Sequence, residues 1–208
     1  MALPQNEAAV RLNPAMQSAE VDLYSMLLSR HKQLLDFCDP GSTLLAVRHR
    51  VQQIYSVKSN PEHVATLQSI GQIQQAQKEG RLHFVQPDIG RVNSKGKPID
   101  KKVRDQWPLY YSQVWETIGQ NKFVPDLVFI QGNFLLATAL EAVKHIVDSA
   151  RVVVHKATSG GRMHVLQEFY EVQEAVQQLV VFRPKPHHTQ DMALLEQYLQ
   201  EYGFNPRA

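Results

Sequence analysis

Apolar residues along this chain fall into two alternating kinds of block. Short runs of four to six residues, rich in Val, Ile, Leu and Phe, recur at Gln33–Phe37, Ile54–Val57, Leu82–Val85, Pro125–Ile130, Arg151–His155 and Leu179–Phe182. Such runs, bounded by turn residues, read as strands buried on both faces. Between them apolar positions recur three and four residues apart, as helices require. The predicted helices are Ala15–His31, Thr43–Arg50, His63–Lys78, Trp107–Ile118, Leu135–Val147, His164–Val176 and Asp191–Tyr202. Strands alternating with helices predict an α/β fold: one doubly wound, mostly parallel sheet of about six strands with helices on both faces. The expected organisation is an N-terminal arm over 1–14, an α/β domain over 15–186 and a helical extension over 187–208.

Composition narrows this picture without redirecting it. The chain has 208 residues, 43% of them hydrophobic, enough for one such domain with a full core. A net charge of +2 gives no push toward nucleic acid or a membrane surface, and neither is expected as a partner. No apolar run approaches the roughly 20 residues needed to cross a bilayer, and no basic-then-apolar leader opens the chain. One cysteine excludes an internal disulfide and suits a reducing compartment, so the expected location is the cytoplasm.

Candidate chemistry gathers where strands end. Leu34–Ala46 runs from apolar strand through Asp36, Cys38, Asp39, Pro40 and Gly41 into Ser42, Thr43 and a new apolar run. That is strand, turn and helix, with hydroxyls placed to cap free N–H groups. In a parallel sheet the first such junction holds a nucleotide-like ligand. It is not a phosphate loop, because no Gly-Lys-Ser/Thr ending follows. The expected partner is therefore a small molecule in a cleft at the strand ends. His155 closes a strand at the same edge and reads either as a general base or, by preference, as a hydrogen-bonded structural histidine. Cys38 reads as a buried thiol. His187-His188 lies between prolines and lacks ligand spacing, so no metal is expected. Arg91–Asp105 is a basic stretch broken by Gly96 and Pro98, read as a solvated insertion with a lid or anion-binding loop as the alternative. The Trp107, Tyr110, Tyr111 and Trp115 stripe reads as core or subunit interface, which leaves a homo-oligomer as an expectation.

These motifs also carry a resemblance. Asp36-Phe37-Cys38-Asp39-Pro40-Gly41-Ser42-Thr43 is similar to the Glu-aromatic-Gly-x-Gly-Gly-Ser-Thr motif of bacterial class I S-adenosylmethionine (SAM) methyltransferase-like proteins. Ser56-Val57-Lys58-Ser59-Asn60 resembles that group's Ser-Val-Glu-Ser-Asp. Arg104 to Tyr110 resembles Arg-x-x-Trp-Pro-x-Tyr, and Pro125 to Phe134 resembles Pro-Asp-Leu-Val-Leu-Ile-Asp-Gly-Arg-Phe. Val152 to Lys156 resembles Val-Leu-Val-His-Asp. The likeness runs from about Glu7 to Lys185. It implies a SAM-binding cleft contacted by Asp36, Gly41, Ser42, Asn60 and Asp88, with His155 as the candidate catalytic residue. The terminal strand hairpin usual in the family is not expected, because the last segment reads as helix.

The scaffold positions match while the charged positions change. Lys58 stands where the family's acid binds the ribose diol, and an ammonium donates hydrogen bonds but accepts none. Each lost charge-assisted bond costs roughly 1.5–3 kcal/mol, about 10- to 100-fold in affinity. Cys38 and Pro40 replace glycines that let the backbone approach a ligand. Gln131 and Lys156 replace aspartates, and Asn133 replaces an arginine. Two functions follow as expectations: a SAM-dependent methyltransferase of a small molecule, or a catalytically inactive relative that binds or assembles, with SAM binding lost and a more positive cleft.

Overall fold

Five parallel strands and an antiparallel pair build one sheet in the order β3-β2-β1-β4-β5-β7-β6. The strands are β1 (Gln33–Phe37), β2 (Gln53–Val57), β3 (Leu82–Val85), β4 (Leu127–Ile130), β5 (Arg151–His155), β6 (Tyr170–Val176) and β7 (Leu179–Pro184). A computed structural model describes residues 12–159, 161–186 and 191–208. The helices are α1 (Ser18–Arg30), α2 (Pro40–Arg48), α3 (Pro61–Gln68), α4 (Gly71–Lys78), α5 (Leu109–Gln120), α6 (Leu135–Val143), α7 (Arg162–Phe169) and α8 (Met192–Tyr202).

Alternation along the strands divides the core into two layers. Leu35, Phe37, Val128, Ile130, Val152 and Val154 face α5, α6, α7 and α8. Leu34, Ile54, Leu127, Phe129 and Val153 face α1, α2 and α4. Local chemistry starts the helices at the strand ends. Asp39 caps α2 by accepting from the Ser42 N–H, and Asn60 caps α3 by accepting from the Glu62 N–H. Pro40 and Pro61 occupy first-turn positions, where no N–H is needed.

Three expectations are corrected. The sheet has seven strands rather than about six, because the stretch read as one helix over 164–176 is a short α7 followed by β6. The family's terminal hairpin is therefore present, as the antiparallel β6–β7 pair. Its outer strand alternates poorly, with a buried Tyr170 followed by mostly exposed residues, and an exposed edge strand rich in Glu and Gln imitates a helix face in sequence. The helix read over 63–78 is two helices separated at Ser69-Ile70. The basic stretch contains a 3-10 turn, Lys101–Gln106. The α5 aromatic face is core of this chain, one of the two readings its spacing allowed, with Tyr110 and Tyr111 packed on Phe134 at ring-centroid distances of 5.5 and 6.2 Å. It leaves no exposed aromatic stripe to motivate self-association. The arm over 1–14 and the His187-His188 pair lie largely or wholly outside the described residues. Among those described, no helix is long and apolar enough to cross a membrane.

Candidate functional site

Parallel strands deliver their C-terminal residues to one edge, and a cleft of about 580 Å³ opens there. Cys38, Val57, Tyr110 and Leu135 give it apolar walls. Lys58, Lys95, Lys156, Arg162, Glu62 and His155 supply charge or titratable groups.

On the β1–β2 side the buried charges are paired within the protein. Register places Asp36 opposite Ser56, and alternation puts Lys58 on the same face of β2 as Ser56. Asp36 is fully buried. Its Oδ2 accepts from Thr43 Oγ1 at 2.5 Å, Ser56 Oγ at 2.9 Å and Lys58 Nζ at 3.2 Å. The Lys58 side chain is 2% exposed. The lysine is thus the buried counter-ion of Asp36 rather than a free charge in the cleft.

Two segments lie over this side. Asn13, Pro14 and Ala15 form a strap. The Ala15 N–H donates to Asp39 Oδ2 at 3.3 Å, and Gln131 Nε2 donates to the Ala15 carbonyl at 3.3 Å. The strap presses so closely on Gly41 that a Cβ there would sit 2.3 Å from the Asn13 carbonyl carbon. The second segment is the basic loop, whose side chains are mostly exposed, as a solvated insertion requires, while its turn over 93–96 is fixed as a lid at the cleft. Ser59 Oγ donates to the Gly96 carbonyl at 2.7 Å, and His63 Nε2 donates to the Ser94 carbonyl at 2.8 Å. Asn60 Nδ2 reaches the Asn93 and Ser94 carbonyls, and Asn133 Nδ2 the Lys95 carbonyl. Gly96 has φ of +72° with Ser59 Oγ 2.7 Å from where a Cβ would be, so the tight approach requires glycine.

The β4–β5 side is arranged differently. His155 is buried between Gln131 and Glu20. Its Nδ1 lies 3.0 Å from Gln131 Nε2 and its Nε2 lies 3.5 Å from Glu20 Oε2. Because Gln131 Nε2 also faces the Ala15 carbonyl, it is the donor, so Nδ1 accepts and the ring proton sits on Nε2 toward Glu20. Burial pushes the His155 pKa down, adjacent Lys156 pushes the same way, and Glu20 opposes both. Buried Glu20 also accepts from the Gln17 and Gln178 N–H groups at 2.8 Å each, which ties α1 to the β6–β7 turn. Gln131 Oε1 is buried without a partner. Arg162 donates to the Lys156, Ser159 and Arg207 carbonyls, and its Nε is buried without a partner.

Solved structures with this architecture come from several bacteria. A methyltransferase-like protein from Silicibacter pomeroyi superposes with a TM-score of 0.75 at 22% identity, over 94% of this chain and 100% of that one. The O-methyltransferase TomG from Streptomyces achromogenes, solved with SAM, gives 0.56 at 12% identity over 83% and 82%. A Bacillus cereus O-methyltransferase in complex with S-adenosylhomocysteine (SAH) gives 0.54 at 11% over 86% and 84%. The chain has the class I methyltransferase fold. No family model matches the sequence, and no curated protein matches it either.

Within this methyltransferase fold the residues expected to hold SAM are dispersed. Asp36 does not line the cleft. Ser42 is buried, with its N–H and Oγ both on Asp39. Gly41 lies under the strap, and Asn60 is occupied by the α3 cap and the lid. Asp88 is exposed away from the cleft, accepting from the Gly90 N–H at 3.0 Å. Only His155 lines it, with both ring nitrogens engaged. At the β2 end a buried ammonium replaces the acceptor a ribose diol needs. These residues do not fit SAM held in the family's manner. Among the described residues no three metal-ligating side chains gather.

Sequence reasoning did not single out Glu20, Glu62 or Arg162. Glu20 carried one local signal, its place three residues after Gln17 in a helix-start pattern. Glu62 and Arg162 follow Pro61 and Gly161 at helix starts, but nothing in the sequence marks them as facing a cleft.

Proposed function

We propose that this protein binds a small molecule in the strand-end cleft through contacts of its own, on a methyltransferase scaffold that no longer grips SAM in the family's manner. The observation that carries this reading is Lys58, a buried ammonium on Asp36 at the position where a diol acceptor is required. The strap over Gly41 and the placement of Asp88 outside the cleft support it. The test is calorimetric titration of the native chain with SAM and SAH. No binding up to millimolar concentration is the expected result, and a micromolar dissociation constant would overturn the reading.

A second reading is SAM-dependent methyl transfer to a small acceptor. Two observations favour it: the 580 Å³ cleft is open beside the β1–α2 turn, and proteins of the same fold are solved with SAM and SAH. Glu62, a cleft carboxylate in the first turn of α3, is the acceptor such binding would need. Micromolar SAM binding abolished by Glu62→Gln would establish that alternative contact.

A further inference from the structure

Cations in the cleft differ in whether their charge is answered. Lys58 has Asp36. Lys95, Lys156 and Arg162 line the same cavity, and among the described residues none of them forms an ion pair with a carboxylate. Arg162 makes its hydrogen bonds to backbone carbonyls, which satisfy its donors without neutralising it, and its Nε remains buried and unpartnered. Arg162 Nη1 on the Lys156 carbonyl holds these two residues side by side. Lys95 stands across from them, on the lid, where Asn133 Nδ2 fixes its carbonyl. Of the cleft's acids, Asp39 accepts from the Ser42 and Ala15 N–H groups at the β1–α2 turn and keeps its charge, and Glu62 stands at the α3 end; both lie on the side opposite Lys156 and Arg162.

Positive charge held without an internal partner beside an apolar wall is an arrangement that an incoming anion completes. Lys95 and Lys156 are exposed, so water solvates them in the open cleft; a ligand that enters displaces that water, which is costly unless it brings a counter-charge, and a charge-assisted bond is roughly twice as strong as a neutral one. We propose that the cleft's ligand is a small organic anion, a carboxylate or phosphate monoester on an apolar body. Its charged end sits between Lys156, Arg162 and Lys95, and its body lies against Val57, Tyr110 and Leu135. The inference rests on the small-molecule reading above and adds the chemical class.

The experiment titrates the full chain with benzoate, phenyl phosphate, inorganic phosphate and neutral benzyl alcohol, following heat and the amide signals of Gly96 and Gly132. Benzoate or phenyl phosphate is expected to bind at least ten-fold more tightly than benzyl alcohol. Inorganic phosphate alone is expected to bind more weakly than phenyl phosphate, and the relative affinity of the two aromatic probes assigns the head group. Lys156→Gln and Lys95→Gln should each weaken the preferred anion about ten-fold or more. Lys101→Gln, the same charge change on the exposed 3-10 turn, should leave affinity unchanged. Those two variants are preferred to an Arg162 substitution because Arg162 also tethers backbone. Benzyl alcohol binding as tightly as the anions, or Lys156→Gln and Lys95→Gln binding like the native chain, would overturn the anion class while leaving a cleft that binds small molecules. No binding of any probe at 10 mM, roughly the weak end of useful affinity, would also overturn it. Micromolar SAM binding would instead overturn the underlying reading, so the two failures are distinguishable.

Discussion

The two halves of the strand-end edge treat charge in opposite ways. On the β1–β2 half, Lys58 is neutralised by Asp36, the strap covers Gly41, and the lid draws on Ser59, Asn60 and His63. On the β4–β5 half, Lys156 and Arg162 have no carboxylate partner, and Gln131 keeps an unpartnered oxygen. One half is satisfied by the protein's own groups, and the other is left for something that arrives. The half whose buried charge is paired is the one the resemblance marks for SAM.

The largest effect should come from breaking the paired half. Lys58→Met leaves Asp36 buried with two hydroxyl donors and no counter-charge. Removing one partner of a buried pair costs about 3–5 kcal/mol, read as a fall in the denaturant midpoint. Lys58→Glu should be worse, since it sets a second carboxylate against Asp36. It is therefore a poor way to restore a ribose acceptor, although it is the obvious reversion in sequence. The double variant Asp36→Asn with Lys58→Met should recover most of the loss, and a double variant no more stable than Lys58→Met alone would count against the pair.

Gly41→Ala probes the strap. Its Cβ would meet backbone atoms of Asn13 and Pro14 at 2.3–2.5 Å, so the strap must move. Overpacking of this kind costs about 1–3 kcal/mol, and the Ala15 amide should exchange faster with solvent. A variant with native stability and native Ala15 protection would show that the contact is slack.

By contrast, Lys156→Gln on the open half should change stability by less than about 0.5 kcal/mol, because the side chain is exposed and forms no ion pair among the described residues. A loss above 1 kcal/mol would mean that Lys156 has a structural partner.

A histidine sits on each half, and burial pushes both pKa values down, His63 on α3 against the lid and His155 beside Glu20. A depressed folded pKa means that the unfolded chain binds more protons in the window below the ordinary histidine value near 6.5. Stability from these groups is therefore complete above that value and falls as the solution is acidified. Replacing either with asparagine should flatten the stability curve between pH 5 and 7, the smallest effect of this series. An unchanged slope in both variants would assign the acid loss to other groups.

Much of the fold was legible in the sequence. The parallel strands are continuous apolar runs, and their order with the helices follows from period alone. β6 was not legible, because Tyr170–Val176 is an edge strand whose exposed Glu and Gln residues carry no strand signal. The α3–α4 break was missed because the apolar spacing continues across Ser69 and Ile70. Within the site, sequence named Asp36 and Lys58 but set them in different roles. Their contact depends on the β1–β2 register, which relates residues 22 positions apart. The Glu20–His155 contact spans the chain in the same way. Local pattern reports what a residue is, and register reports what it faces.

Cys38 is the only cysteine in the chain, and it forms part of the cleft wall with 8% of its surface exposed. Burial and the nearby Asp36 carboxylate push its thiol pKa up, so at neutral pH it stays protonated and reacts slowly. A small disulfide reagent can reach it only by entering the cavity. The rate at which one equivalent of reagent is consumed therefore measures how full that cavity is. The chain carries its own optical titration for unknown ligands, in which any compound that occupies the cleft slows the colour change.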